Sequence, residues 1–474
     1  MTKTVIFYSR SLQNRLYPLI AKQITKFNSV HIVQNEEEGR VVKSIIPDAK
    51  IYDLTNYIKS NWDNDEKLNS ISLGFIEETY KINSLWKLYY VDRFLVKYCY
   101  EDSVKFIKLH YFFIKMIIDD IKPVFFINEE VAMFSAFLFL KICKKHECKY
   151  LGFSVPRNFT YDKFLFTQDE YSHYYELDAH YQGNTITTND IALALSNIKK
   201  IRETAIKPEY MLVQGAKPKF SLIYFWSLLK SFFYLLFEKK DYFNYVKRKK
   251  SVTQLNGLKF YLRYLMQKRY YKKPLENQKY LLFPLHFQPE SSTLTKATDF
   301  ENQINTIEII AKNLPGDYVL YVKEHYAKLG HREMSFYKLI QKFCNVRFID
   351  PWIDSHSLIK KSEGVIVLTS TVGWEALIYR KPVFILGNVF YETFRYSVKI
   401  DNIYKLAEII KDKLHERQIS ENDYDYELAK YFASYTKAMK EGSYYLKLKP
   451  DAENVKILAL ELEKELENSK YFSI

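Results

Sequence analysis

The sequence predicts an α/β protein made of two doubly wound, Rossmann-like domains facing a cleft, with C-terminal helices. Three observations carry this. Short β-branched runs alternate with longer helical patterns in both halves of the chain. A basic, aromatic tract between about 216 and 275 interrupts the alternation once. A chain of 474 residues is too long for one ordinary core. At 47% hydrophobic and 27% charged residues it has the composition of a folded protein, not a disordered one.

In the first half, TVIFY (4–8), VHIV (30–33), AKIYDL (49–54), PVFFIN (123–128) and YLGFSV (150–155) read as strands. EEVAMFSAFLFLKICKKHE is the helix expected between the last two, the rhythm of a parallel sheet with crossover helices. These segments define a domain over 1–215. The tract 216–275 is a helical insertion or linker, and a second doubly wound domain follows over 276–400. Its strands are KYLLFPLHF (279–287), YVLYVKEH (318–325), VRFID (346–350), GVIVLTS and PVFILG, with helices expected around 299–313, around 334–343 and after Thr371. Residues 401–474 read as helices that pack back on the first domain. Ligands of such sheets bind beyond the carboxyl ends of the strands.

The formal charge of +14 implies attraction to polyanions. Dispersed basic residues and the lack of a recognised binding motif rank nucleic acid last among these. Cys99, Cys143, Cys148 and Cys344 form neither a CxxC pair nor a disulfide framework, which fits a reducing, cytosolic compartment. MTKTVIFYSRSL reads as a first strand, not a signal peptide. The apolar stretch 220–238 is interrupted by Lys230 and is expected to lie on a membrane, not to cross it. There Lys239, Lys240, Lys247, Arg248, Lys249 and Lys250 would meet anionic head groups on the inner face of the cytoplasmic membrane.

The most informative stretch is VIVLTSTVGWEAL. A strand ending at Leu368 hands over to Thr369, Ser370 and Thr371, then to a helix start with unpaired N–H groups. Gly373 is expected to let backbone approach a ligand, and a phosphate fits the turn. An ordinary helix cap explains the same residues. Glu375, expected in the first helical turn, suits either the helix dipole or the hydroxyls of a ribose. Lys323, Glu324 and His325 stand at another strand end, where a Lys or His can stabilise a leaving phosphate. His331 and Arg332 lie further along that loop. His286, Gln288 and Glu290 follow a third strand. No HExxH or DxD-rich spacing accompanies them, so neither a tightly held metal nor a cofactor is expected. In the first half, Glu129 and Glu130 at a strand end read as a general base or as helix-start acids. Arg157 reads as an anion ligand or a surface residue.

Taken in order and spacing, FPLHFQPESSTL, YVKEHYAKLGHRE and IDPWIDSHSLIKKSEGVIVLTSTVGWEALIYRKPVFILGNVFY resemble the capsule polysaccharide biosynthesis family of bacterial glycosyltransferases, which includes Kdo transferases. The resemblance covers about residues 279 to 395. It implies a GT-B fold and metal-independent transfer from a nucleotide sugar, CMP-linked donors being known in the family. The acceptor, a saccharide or lipid-linked saccharide, would sit on the first domain, with Glu129 or Glu130 as base if the enzyme inverts. Lys323, Thr369, Ser370, Thr371, Gly373, Glu375, His286, Gln288, Glu290 and Arg157 would bind the nucleotide sugar. His325 stands where the family has a His-Pro pair, here His325-Tyr326. The product would be capsule or lipopolysaccharide. A sugar-nucleotide epimerase of the same fold and a non-catalytic capsule assembly or export component remain the alternatives.

Overall fold

A computed structural model describes residues 3–157, 162–183, 185–204, 241–246, 250–325, 329–416, 420–444 and 450–468. The expected membrane-surface stretch 220–240 and residues Lys247, Arg248 and Lys249 lie outside the described residues, as does the side chain of Lys250. The described chain forms two compact units. The first comprises residues up to 180 with 241–246 and 436–468; the second comprises 181–204 and 250–435.

In the first unit, β1 (Thr4–Tyr8), β2 (Asn28–Val33), β3 (Lys50–Asp53), β4 (Phe125–Glu129) and β5 (Lys149–Ser154) form a parallel sheet in the order β5-β4-β1-β2-β3. Their near-continuous apolar sequence suits strands covered on both faces. The sequence reading did not place β6 (Lys163–Thr167), which adds antiparallel to β5. The helix Gln13–Gln23 covers one face through Leu16, Tyr17 and Ile20. These side chains share a core with Leu458 and Leu462 of the C-terminal helix Ala452–Glu467. Residues 241–246 also pack here: Tyr245 is buried and its hydroxyl lies 3.1 Å from His110 Nε2.

The second unit holds β7 (Tyr280–Pro284), β8 (Val319–Lys323), β9 (Val346–Ile349), β10 (Gly364–Val367), β11 (Val383–Ile385) and β12 (Ser397–Lys399). The order β12-β11-β10-β7-β8-β9 is parallel throughout. This is the doubly wound order in which the chain reverses direction across the sheet once, between β7 and β10. The expected α/β class with two Rossmann-like units is therefore borne out. The loops that leave β7 and β10 are side by side at the carboxyl edge.

The helix Glu421–Ala438 is held to the second unit by a charge cluster. Asp425 receives Arg202 at 2.7 and 2.8 Å and Arg380 at 2.6 and 2.9 Å. Burial alone would raise the Asp425 carboxyl, but the two guanidiniums hold it well below the usual carboxylate range. A depressed acid stabilises the folded state above its unfolded pKa, and that stability is lost as pH falls below about 4. Asp425→Ala is therefore expected to cost about 1–3 kcal/mol at pH 7 in urea unfolding, with the difference from wild type shrinking below pH 4.

Candidate functional site

The sheet crossover of the second unit gathers three loops, and their side chains do different jobs. After β7, His286 is buried and its Nε2 accepts a hydrogen bond from the Thr369 N–H at 3.3 Å. Burial, with the nearby charges of His325 and Arg332, pulls the His286 imidazole down to about 3, so it is neutral at cellular pH. It joins the β7 and β10 loops directly. Gln303 braces the same loop, accepting from His286 N at 2.9 Å and donating to His286 O at 3.3 Å.

After β8, the side chain of Glu324 is fully buried and meets Arg332, whose Nε lies 2.9 and 3.1 Å from its two oxygens. Arg332 Nη2 also donates to His286 O at 2.7 Å. Glu324 accepts from the His325 backbone N–H at 2.9 Å and from the Tyr337 hydroxyl at 3.2 Å. Arg332, which the sequence placed merely further along the loop, thus ties the two histidine-bearing loops together. The signal was a charged pair eight residues apart, and only the folded loop brings it into contact.

Lys323 Nζ donates to Ser355 Oγ at 3.0 Å and Pro351 O at 3.2 Å, and its charge acts on Glu375. His325 lies edge-on to Phe287, ring centroids 6.4 Å apart.

The turn after β10 leads into the helix Thr371–Ile378. Ser370 is its N-cap and accepts from the Val372 N–H at 3.2 Å, so the ordinary capping role is filled. Among the described residues the Thr369 hydroxyl is buried without a hydrogen-bond partner, and no hydrogen bond engages the Thr371 hydroxyl.

Two expectations at this turn are corrected. The Cα side of Gly373 faces protein, not open space: a Cβ there would lie 2.3 Å from the Tyr391 hydroxyl. Glycine is needed because the Tyr391 ring packs over the first turn and its hydroxyl donates to Ser370 O at 2.5 Å. Glu375 is not in the first turn, which holds no acid. It lies one turn deeper and is buried, without a hydrogen bond to its carboxyl among the described residues. Burial pushes that carboxyl up to about 7, opposed by Lys323.

The remaining expected residues are placed as follows. The Gln288 side chain donates to Glu301 O, which braces the β7 loop. Glu290 is the N-cap residue of the helix Ser291–Lys296. Glu129, Glu130 and Arg157 belong to the first unit. The helix expected from Glu129 onward begins only at Phe134, so neither acid is a helix-start residue. Glu129 ends β4, ion-paired to Arg10 and hydrogen-bonded by Gln13. Glu130 accepts from the Ser154 hydroxyl, with Arg157 3.9 Å away.

Among the described residues no group of three or more His, Cys, Asp or Glu side chains is arranged to hold a metal ion, and no helix is long and apolar enough to cross a membrane. A cavity of about 310 Å³ opens at the other edge of the second sheet, lined by Glu363, Pro382 and Tyr396, which precede β10, β11 and β12. Of its three cations, Arg380 and Lys413 are ion-paired to Glu421 and Glu416; the third is Lys381.

Residues 237–430 match the family described as capsule polysaccharide biosynthesis protein. The resemblance noted in the sequence is borne out over that region, which contains the whole second sheet. No curated protein matches the chain. Among solved structures, the beta Kdo 2,7 transferase of KpsC from Thermosulfurimonas dismutans is similar at 13% identity and a TM-score of 0.32, covering 78% of this chain and 98% of that one. The beta Kdo 2,4 transferase of the same KpsC gives 12%, 0.37, 72% and 87%. A UDP-GlcNAc 2-epimerase from Methanocaldococcus jannaschii in complex with UDP-GlcNAc and UDP gives 13%, 0.26, 88% and 94%. All three are distant likenesses.

Two outcomes follow from the turn. Gly373→Ala should destabilise by about 1–3 kcal/mol in urea unfolding, and Tyr391→Phe should recover part of that loss. For Glu375, the unfolded carboxyl loses its proton near pH 4.5 while the folded one keeps it to about 7. Wild-type stability therefore falls as pH rises across that window. Glu375→Gln should gain on wild type by about 1–3 kcal/mol between pH 4.5 and 7.5; a pH-independent difference would show the carboxyl to be solvated.

Proposed function

We propose that the chain is a glycosyltransferase that builds a bacterial surface polysaccharide, capsule or lipopolysaccharide, from a nucleotide-activated sugar without a metal ion. The observation that carries this reading is the convergence of His286, Lys323, His325 and the Thr369–Thr371 turn at the one crossover of the second sheet. The family match over residues 237–430 supports it.

In this reading the donor phosphate sits over the start of the helix Thr371–Ile378, with the Thr369 and Thr371 hydroxyls as donors. The ribose hydroxyls donate to the Glu375 carboxyl below. The bond from the sugar's anomeric carbon to the phosphate oxygen breaks and a bond from that carbon to the acceptor oxygen forms. The charge that develops on the leaving phosphate is met by Lys323, His325 and the helix N–H groups, groups already fixed before the reaction. His286, kept neutral, holds the β7 and β10 loops in register. An inverting enzyme passes the acceptor proton to Glu129 or Glu130 of the first unit. The acceptor is a saccharide or a lipid-linked saccharide. CMP-linked sugars are the first donors to try.

The experiment is thermal stabilisation of the purified protein by CMP, CDP, UDP, GDP and ADP, with and without EDTA. A nucleotide at ~100 times its dissociation constant adds about 2.7 kcal/mol. The expected outcome is selective stabilisation by one nucleotide, indifferent to EDTA and lost in Lys323→Ala and Thr371→Ala. Loss of the effect in EDTA would overturn metal independence. No response to any nucleotide would turn the reading toward a non-catalytic assembly component.

A further inference from the structure

The helix Lys250–Gln267 of the second unit is apolar on two opposite faces. Its inner face is Phe260, Tyr264 and Gln267, at the i, i+4, i+7 spacing of one helical stripe. Phe260 stacks on His331 with ring centroids 3.9 Å apart. Tyr264 is buried, and the buried Gln267 accepts from Gly330 N at 3.0 Å and from the Tyr337 hydroxyl at 2.7 Å. That face accounts for how the helix is held.

The outer face has no such account. Leu262, Leu265 and Met266 are 52%, 44% and 47% exposed, and half-buried Leu258 lies one turn earlier on the same side. Four apolar side chains at i, i+4, i+7 and i+8 form a stripe turned away from the core. Exposed Lys259, Lys268 and Arg269 frame it, and exposed Lys272 and Lys273 follow. Between Asp241 and Glu276 the sequence holds ten basic residues and no acidic one. On its own helix the apolar stripe is bordered by cations alone, although Glu333 ion-pairs with the helix through Arg263; that pattern fits a surface with an apolar interior and an anionic skin.

We propose that this outer face docks the protein on an anionic lipid bilayer, with Leu258, Leu262, Leu265 and Met266 entering the interface and Lys259, Lys268 and Arg269 meeting the head groups. This face is distinct from the surface contact expected at 220–250 and consists of described residues. A purely apolar occupant, such as another segment of the same chain, would leave the cationic border unexplained. The inference does not depend on the transferase reading, because no residue proposed to meet the bilayer belongs to the β7, β8 or β10 loops. It does account for how a soluble domain reaches a lipid-linked acceptor.

The test is co-sedimentation of the full chain with phosphatidylcholine vesicles and with vesicles containing phosphatidylglycerol. Binding is expected only to the anionic vesicles and should weaken with salt. Each basic group near the surface is worth about a fivefold change in partitioning, so K259E/K268E/R269E should lower binding by more than tenfold. Leu262→Glu with Met266→Glu should lower it similarly, with an unchanged thermal midpoint because the face is solvent-exposed in the free protein. Absence of binding, or equal binding to both vesicle types, would overturn the proposal. So would a marked fall in thermal midpoint for the leucine and methionine variants, which would mean that the chain itself covers the face. Nucleotide stabilisation, measured on the same variants, separates these outcomes from failure of the transferase reading.

Discussion

The candidate site depends on one buried ion pair, Glu324 with Arg332. Burying two charges is costly, and the protein offsets it with further hydrogen bonds to both members of the pair. Glu324 takes the Arg332 Nε, the Tyr337 hydroxyl and the His325 N–H; Arg332 spends a further N–H on the His286 carbonyl. The pair therefore fixes the backbone on both sides of the β7–β8 boundary. Gln267 extends the network to the helix Lys250–Gln267 through Gly330 and Tyr337. Gly330 has to be glycine there, with φ at +78° and Phe260 O 1.8 Å from where a Cβ would stand.

On this frame the site separates two electrostatic environments. The rim carries donors: the start of the helix Thr371–Ile378, hydroxyls, Lys323 and His325. The floor carries an acid, Glu375, raised by burial and only partly rescued by Lys323. Such an arrangement suits a ligand that is anionic at one end and rich in hydroxyl groups next to it. His286 adds no charge. Its value is geometric, because a neutral imidazole can accept the Thr369 N–H that a protonated one would repel.

Most strands of the two parallel sheets were legible because buried parallel strands are written as β-branched and aromatic runs of four to six residues, and their chemistry-bearing residues follow directly at the carboxyl end. The three-residue edge strand β12 (Ser397–Lys399) and the antiparallel strands were not. KFLFT of β6 is hardly distinct from its surroundings, and Lys440–Glu441 pairs with it through only two residues. Helix starts shifted for a similar reason: nothing local distinguishes Glu129 as a strand residue from Glu129 as a helix start, and the backbone pairing of β4 with β5 decides it. Gly373 was read by its freedom toward a ligand, yet its neighbour is Tyr391, eighteen residues away in sequence.

The sequence by itself determined the class of fold, the position of the hydroxyl-rich turn and the set of loops that could meet a phosphate. These follow from local pattern, and the parallel topology then forces strand ends onto one edge. Tertiary structure alone decided which of those residues are braces and which are available. Ser370 became a cap, Arg332 a clasp between loops, Gly373 a space for a ring and Glu375 a buried acid. The physical reason is that burial and hydrogen-bond partners come from residues distant in the chain, and they set both the charge state of a side chain and whether its polar atoms remain free for a ligand.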